Sequence, residues 1–192
     1  MVGYDIWGRP KSPASKRAYP AGQHGPNQKD NNRRSEYGEQ LLAKQVIRRY
    51  YNMLEKQFSN TFKKAQRMNG NTSLNFLRLL EMRLGTAVWR LGYAKTIFQA
   101  RQMVSHCHIT VNGKKCNIPS YQCKPGEVIG VRANPKSQQL VGRFLEMTQG
   151  NPVPGWMTQD RDSQKGTVNR VPVREEINPI ANEQLVVELY SR

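Results

Sequence analysis

Acidic residues and long apolar runs are both scarce in this sequence. Its 192 residues include 30 lysines and arginines but only 14 aspartates and glutamates, which gives a formal net charge of +16. No apolar run approaches the ~20 residues of a membrane-spanning helix, and the N-terminus lacks the apolar segment of a secretory signal. A field of this sign attracts polyanions. The composition therefore excludes a membrane protein and favours a nucleic-acid partner.

Cysteines are few and poorly spaced for a metal site. Cys107, Cys116 and Cys123 are separated by nine and seven residues, and these spacings fit no standard zinc site. His106 and His108 flank the first of them, but no C-x₂₋₄-C pair completes a ligand set. An odd number of cysteines without an export signal indicates reduced thiols. We therefore expect no metal and no cofactor.

Catalytic motifs are also missing. The sequence contains neither of the glycine-rich phosphate-binding motifs, G-x-x-x-x-G-K-[ST] and G-x-G-x-x-G, and no H-E-x-x-H motif. The acids are scattered, and the one adjacent pair, Glu175-Glu176, would be splayed apart by a helix or a strand. The three histidines have no obvious acid or nucleophile partner. The sequence therefore predicts a protein that is not an enzyme.

Positive charge is concentrated in the first three quarters of the chain. Residues 1–145 hold 25 of the 30 basic side chains and 7 of the 14 acidic ones, whereas residues 146–192 hold five basic and seven acidic side chains. The surface that binds a polyanion should therefore lie within residues 1–145.

The first 34 residues should form a basic extended arm. They are rich in Gly, Pro, Asn, Lys and Arg and show almost no apolar periodicity, so they cannot bury enough surface to fold alone. We expect the arm to order on a partner. Because the arm is basic, an organellar matrix or stroma is the alternative to a bacterial cytoplasm as the location of the protein. The arm shows no amphipathic helix, however, which a transit peptide would have.

Between Ser35 and Met68 the sequence predicts helices. Apolar residues recur there at three- and four-residue steps, with a break near Asn52. Basic side chains lie mainly off the apolar face, and Glu55 is the only acid among them in residues 44–67. A face that is merely solvated, which is the alternative, would alternate its charges to form i,i+4 pairs.

Residues 83–113 predict a capped helix followed by a β-hairpin. Thr96 and Gln99 form a T-x-x-Q capping box, and apolar residues follow at helical spacing. Ile109 and Val111 alternate with a threonine, as in a strand. Asn112-Gly113 is a strong signal for a type I′ turn, which needs positive φ at both central residues.

Other elements are predicted from shorter patterns. The sequence predicts a helix capped by Thr72 or Ser73, a strand through Cys116 and Ile118, and a turn at Pro125-Gly126. It also predicts a strand at Val128, Ile129 and Val131, a helix at Leu140, Val141, Phe144 and Leu145, and a linker from Gly150 to Gly155. Val168, Val171 and Val173 are weak strand candidates near a sheet edge, and Asn182 to Tyr190 should form a helix, although residues 185–187 could also form a strand.

These motifs closely resemble the ribosomal protein S4 family and the RNA-binding module named after it. The module is matched by RLG at 90–92, ARQMVSH at 100–106, HITVNGK at 108–114, IPSY at 118–121 and KPGEVI at 124–129. The rest of the family is matched by PAGQHG at 20–25, SEYGEQL at 35–41, LEKQF at 54–58, LLEMRL at 79–84 and NEQLVVELYSR at 182–192. The resemblance covers nearly the whole chain.

The resemblance implies an α+β fold and a ribosomal function. A helical domain over 35–84, completed by 178–192, would carry an inserted RNA-binding domain over 85–177 with a small antiparallel sheet and helices. The chain would be a structural constituent of the small ribosomal subunit, a primary binder of its RNA that nucleates assembly and contributes to translational accuracy. Protein S5 and the messenger RNA entry path would lie nearby, and the chain would not form homo-oligomers. The alternative is a ribosome-associated or RNA-modifying factor that borrowed the same module.

The predicted RNA contacts are the basic and hydrogen-bonding side chains of the arm, the helices and the hairpin region. They are Arg17, His24, Lys29, Arg33, Arg34, Lys44, Arg48, Arg49, Lys56, Lys63, Arg67, Arg83, Arg90, Lys95, Arg101, Gln102, His106, His108, Asn112, Lys114 and Lys115.

Overall fold

A computed structural model describes residues 5–7, 12, 16–17, 19, 22–27, 35–178 and 180–191. Most of the predicted arm, including Lys29, Arg33 and Arg34, therefore lies outside the described residues. Within the described part of the arm, the amide of Gly25 donates to the carbonyl of Gly22 at 3.1 Å, which forms a turn.

The described elements are α-helical at both ends of the chain and mixed in between, which confirms the α+β prediction. The helices are α1 (Glu36–Tyr50), α2 (Glu55–Gln66), α3 (Thr72–Glu81), α4 (Leu84–Arg90), α5 (Ile97–Ser105), α6 (Pro135–Met147) and α7 (Gln184–Tyr190). The strands are β1 (Ile109–Val111), β2 (Lys114–Lys115), β3 (Val128–Val131), β4 (Met157–Asp160) and β5 (Lys165–Val168), with one 3₁₀ turn at Arg174–Glu176. Within the described ranges, no helix is long and apolar enough to cross a membrane.

The chain divides into two compact units, Met1–Phe58 with Pro179–Arg192 and Ser59–Asn178. This boundary lies 26 residues before the predicted one at 84. Residues 59–84 belong with the second unit because they contact its later segments: Gln122 Nε2 donates to the carbonyl of Leu79 at 3.2 Å. Arg78 Nε also donates to the carbonyl of Pro172 at 3.0 Å.

The first unit pairs α1 with the C-terminal helix. Ser35 caps α1, since its Oγ accepts from the amide of Gly38 at 3.3 Å. Gln40, which is buried, donates from Nε2 to Glu188 Oε2 of α7 at 3.2 Å. The C-terminal segment is helical, as predicted, although the helix begins at Gln184, two residues after Asn182.

The predicted break between α1 and α2 is confirmed. Asn52 lies between them with a φ of 49°, a left-handed conformation that an α-helix does not contain. In α2 the apolar stripe is buried as its spacing predicts, through Phe58, Phe62 and Ala65.

The cap of α3 differs from the prediction. Asn71, and neither Thr72 nor Ser73, is the N-cap, because its Oδ1 accepts from the amide of Ser73 at 2.9 Å and more weakly from that of Leu74 at 3.4 Å. Asn71 has an extended backbone, whereas Thr72 already belongs to the helix.

The second unit contains an antiparallel sheet with the strand order β2-β1-β3-β5-β4. The predicted strand at 128–131 and the predicted helix around 140–145 are both confirmed. The predicted strand through Cys116 and Ile118 is wrong, since β2 ends at Lys115. Val171 and Val173 also lie outside the sheet, and β5 is an inner strand because the unpredicted β4 forms the edge.

The core of the second unit lies between this sheet and helices α4, α5 and α6. Trp156 and Tyr93 are its two largest fully buried side chains, and Ile109 and Ile129 are fully buried from the sheet. Leu91, the C-cap residue of α4, lies so close to β5 that a β-carbon added at Gly166 would be 2.5 Å from Leu91 Cδ2. Packing of this density fixes α4 and α5 against the hairpin.

Candidate nucleic-acid interface

The hairpin turn after β1 holds two adjacent lysines in place. Asn112 and Gly113 have φ values of 50° and 76°, as the predicted type I′ turn requires. Asn112 Oδ1 accepts from the amide of Val128 at 2.8 Å, and the Asn112 amide donates to the Val128 carbonyl at 2.8 Å. Asn112 thus ties the turn to β3. Lys114 and Lys115 are exposed, and no carboxylate among the described residues pairs with them.

The start of α5 is fixed by two side chains. Thr96 Oγ1 accepts from the Gln99 amide at 3.3 Å, and Gln99 Oε1 accepts from the Lys95 amide at 3.1 Å. The capping box is therefore present, with the glutamine reaching one residue beyond the cap. Arg101 and Gln102 follow on the exposed side of this helix.

Arg83 and Arg101 form a pair of like charges. Burial lowers the pKa of Arg83, and the nearby charge of Arg101 lowers it further. The backbone of Arg83 is held by a bridge to Gln122 and by its place as the N-cap of α4. No carboxylate of the described residues lies within ion-pair distance of Arg83. An anion placed between the two guanidinium groups would relieve this repulsion.

Arg90 faces into the protein. Its Nη2 lies 2.7 Å from Glu81 Oε1 and its Nε lies 3.0 Å from Glu81 Oε2, while its Cζ is 4.7 Å from the centre of the Trp89 ring. The Arg90 side chain is 14% exposed and the Glu81 side chain 2%. Because these donors contact Glu81, Arg90 holds α4 to α3.

A pocket of about 220 Å³ opens between α5 and α6. Three of the predicted contacts, Gln102, His106 and His108, line it together with Gln99, Met103, Leu140 and Phe144. His108 Nδ1 is 2.9 Å from Ser137 Oγ, and the centres of the two imidazole rings are 6.4 Å apart. The sequence analysis did not find this pocket, because α6 lies some 30 residues after α5 in the chain.

Sheet register reveals two more basic residues, Lys165 and Arg132, that the sequence analysis missed. Lys115 pairs with Thr110, Thr110 with Gly130, and Gly130 with Lys165, so both lysines lie on the same sheet face. Arg132 follows two residues after Gly130 and shares the alternation of that face. The core occupies the opposite face, through Val111 and Ile129. A spacing pattern in the sequence cannot reveal such cross-strand rows.

In the first unit, two predicted contacts already have an acidic partner. Lys44 Nζ lies 2.7 Å from Glu55 Oε1, and Arg48 Nε lies 3.3 Å from Glu55 Oε2. Partial burial opposes the change, but the hydrogen bond and charge of Lys44, with smaller contributions from Tyr190 and Arg48, lower the pKa of Glu55. Glu55, the only acid that the sequence places among these basic residues, therefore neutralises part of the positive charge of α1.

The remaining predicted contacts are exposed on their elements. They are Arg17 and His24 in the arm, Arg49 in α1, Lys56, Lys63 and Arg67 on or just after α2, and Lys95 before α5. Among the described residues, no three His, Cys, Asp or Glu side chains gather closely enough to hold a metal ion.

Comparison with known proteins gives two family matches. Residues 1–81 match the ribosomal protein S4/S9 N-terminal domain, and residues 82–129 match the S4 domain. The junction of the two matches falls between α3 and α4, beside Arg83.

Individual relatives match over nearly their whole length. A protein of Akkermansia muciniphila named small ribosomal subunit protein uS4 is 50% identical over 190 residues, which is 99% of this chain and 93% of that protein. Proteins of the same name from Thermoanaerobacter sp. and Geobacillus sp. are 46% and 48% identical, covering 95% and 92% of this chain and 86% of each relative.

Proposed function

This chain belongs to the S4 family of small-subunit ribosomal proteins, and from that premise we propose that it binds ribosomal RNA with the positively charged surface of its second unit. As a family member it is a structural constituent of the small ribosomal subunit. We propose that it acts in the cytoplasm of a bacterial cell, with an organellar matrix or stroma as the alternative, and that it binds and holds RNA rather than catalysing a reaction. Its partners are small-subunit ribosomal RNA and neighbouring ribosomal proteins.

The match of residues 1–129 to the two family domains carries the proposal, and Arg83 with Arg101 is one candidate point of contact. Arg83 has no carboxylate beside it, and the nearby Arg101 carries the same charge. A phosphate would suit this place, because a guanidinium can hold two phosphate oxygens at once. Burial makes Arg83 costly to keep charged without a counter-ion, which adds to the attraction. We assign the RNA backbone to this pair.

The hairpin and the sheet face extend the surface. Lys114 and Lys115 stand on a turn that Asn112 fixes, and Lys165 shares a sheet face with Lys115. Each lysine that neutralises a phosphate releases counterions, so the surface contributes affinity that depends on salt. The rigid core behind it lets the protein recognise a folded RNA by its shape.

We further propose roles for the chain in subunit assembly and in translational accuracy. The chain would bind early in assembly and nucleate folding of the RNA, and would contribute to translational accuracy. It would lie beside protein S5 and the messenger RNA entry path, as one copy in each subunit and not as a homo-oligomer. Residues 1–34 would order on the RNA. No observation favours the alternative of an RNA-modifying factor.

The proposal is tested with the full chain in two assays. A tagged copy expressed in bacterial cells should co-sediment with the small subunit. Purified protein should bind small-subunit ribosomal RNA with an affinity that falls log-linearly with salt. Sedimentation away from ribosomes, or equal affinity for duplex DNA at matched salt, would overturn it.

A further inference from the structure

We propose that the pocket between α5 and α6 receives one unpaired nucleobase of the ribosomal RNA. This inference rests on the proposed function and deepens it, because it assigns a contact to a base where the arginines and lysines contact phosphates.

The shape of the pocket suits a single planar ring system. Its volume of about 220 Å³ is below the roughly 300–1,000 Å³ of pockets that enclose drug-sized ligands. Met103, which is 3% exposed, lies at its base, and the half-buried Leu140 and Phe144 form the wall from α6. RNA-binding proteins stack unpaired bases on apolar and aromatic surfaces of this kind.

The rim carries the hydrogen-bonding groups that a base edge needs. Gln99 and Gln102 lie one turn apart on α5, and His106 ends that helix. Gln99 Oε1 is taken by the Lys95 amide, so its amide nitrogen keeps its donors. No described residue hydrogen-bonds to the side chain of Gln102. Neutral carboxamides offer a donor and an acceptor together, the combination that the edge of a base presents.

The charges around the pocket select against other occupants. No acidic side chain lines it, so a lysine or arginine of a neighbouring protein would find no counter-ion there. Cations flank it on both helices: Arg101 precedes Gln102 on α5, while Lys136 and Arg143 are four residues before and three after Leu140 on α6 and are exposed. These cations suit the phosphates on either side of an inserted nucleotide.

The experiment uses the full chain labelled with ¹³C at the methionine methyl groups and the segment of small-subunit ribosomal RNA that the parent protein protects. A base stacked in the pocket should shift the methyl resonance of Met103 upfield through its ring current. The methyl of Met147 is the internal reference, because that side chain is 66% exposed and lies outside the pocket lining.

A pair of glutamine substitutions gives the second readout. Gln102→Ala should weaken RNA binding roughly three- to tenfold, as for a lost neutral hydrogen bond, without changing the slope of log affinity against log salt. Gln139→Ala is the matched control, since Gln139 is also exposed and neutral but lies outside the pocket lining on α6. It should bind like the parent.

The outcomes separate the two proposals. If the parent protein does not bind this RNA in a salt-dependent manner, the proposed function fails. If it binds but the Met103 methyl does not move, the pocket holds no base and this inference is overturned. A Met103 shift that occurs only in whole subunits, and not with RNA alone, would assign the pocket to a protein neighbour and overturn it equally.

Discussion

Arg90 and Glu81 form a two-point ion pair that joins the last residues of two consecutive helices. Both nitrogen–oxygen distances are within 3.0 Å, and Glu81 is almost completely buried. The contact explains why an arginine within a basic, RNA-binding sequence is directed into the protein. Removing one partner of a buried pair leaves the other as a buried charge, which is more costly than the loss of an exposed pair.

We therefore expect Arg90→Met to lower the free energy of unfolding by about 3 kcal/mol. Urea unfolding of the full chain followed by circular dichroism measures it. Arg170→Met is the control, because it breaks the Arg170–Glu176 pair, whose arginine is 49% exposed. This control should change stability very little. Equal losses in the two variants would show that burial of Glu81 does not set the cost.

Arg101→Lys should weaken RNA binding by roughly 1–2 kcal/mol although the net charge is unchanged. A lysine cannot grip a phosphate through two parallel donors, so one charge-assisted hydrogen bond is lost. Filter binding over a salt series measures the affinity. Arg161→Lys, at an exposed position in the acidic C-terminal quarter, should bind like the parent. Unchanged binding by the Arg101 variant would reduce the surface to a simple cationic patch.

Two substitutions of Asn112 separate its backbone role from its side-chain role. Asn112→Gly keeps the positive φ but loses the bond to the Val128 amide, at a cost of about 1 kcal/mol in stability. Asn112→Val adds the strain of a β-branched residue at positive φ, of order 1–3 kcal/mol more. Urea unfolding measures both changes. RNA affinity should fall further for valine, because the turn that positions Lys114 and Lys115 is distorted; equal behaviour of the two variants would contradict this account.

Cys123 should be the least reactive of the three cysteines. Burial, with smaller contributions from Glu127 and Cys116, raises its pKa to about 12, so almost no thiolate forms near pH 8. Labelling of the native protein with Ellman's reagent at pH 8 should modify Cys107 and Cys116 well before Cys123. Cys123→Ser should leave the fast phase unchanged and remove the slow one. A third fast thiol in the parent would be inconsistent with this burial.

Gly166→Ala should lower stability by about 1–3 kcal/mol through overpacking, since the added methyl group would meet the buried Leu91 at 2.5 Å. Gly142→Ala is the matched control, because its nearest neighbour would lie 3.8 Å away and the site is inside α6. It should stabilise the protein by about 0.5–1 kcal/mol. Thermal unfolding measures both variants, and destabilisation of similar size in the two would argue against a specific clash.

Sequence signals were sufficient where structure depends on a few adjacent residues. The cap at Thr96, the positive-φ turn at Asn112-Gly113 and the helical stripe through Phe58 and Phe62 are set by local stereochemistry, and each is present in the structure. The strand β4 was missed because its residues, MTQD, carry little β-propensity of their own. Its pairing with β5 is a property of the assembled sheet.

The candidate site was only partly predictable for the same reason. The types of residue that would bind RNA could be read from charge and spacing. Their partners could not, because Glu81 reaches Arg90 across a helix junction and Arg101 approaches Arg83 only after α5 packs. The pocket likewise requires α6 to lie against α5. Tertiary packing therefore decides which basic side chains remain available to an RNA.

The first compact unit is built from two segments that lie far apart in the chain, and this affects its folding during synthesis on the ribosome. Helix α1 packs with α7, which begins 134 residues after α1 ends. At ~5–20 residues per second, the ribosome needs about 7–27 s to make the intervening chain, so the contiguous second unit is complete before the first can close. Throughout that interval the apolar face of α1 has no α7 to cover it. A nascent chain of this protein thus carries an unfinished N-terminal helix, which makes it a candidate for chaperone capture until its last residues emerge.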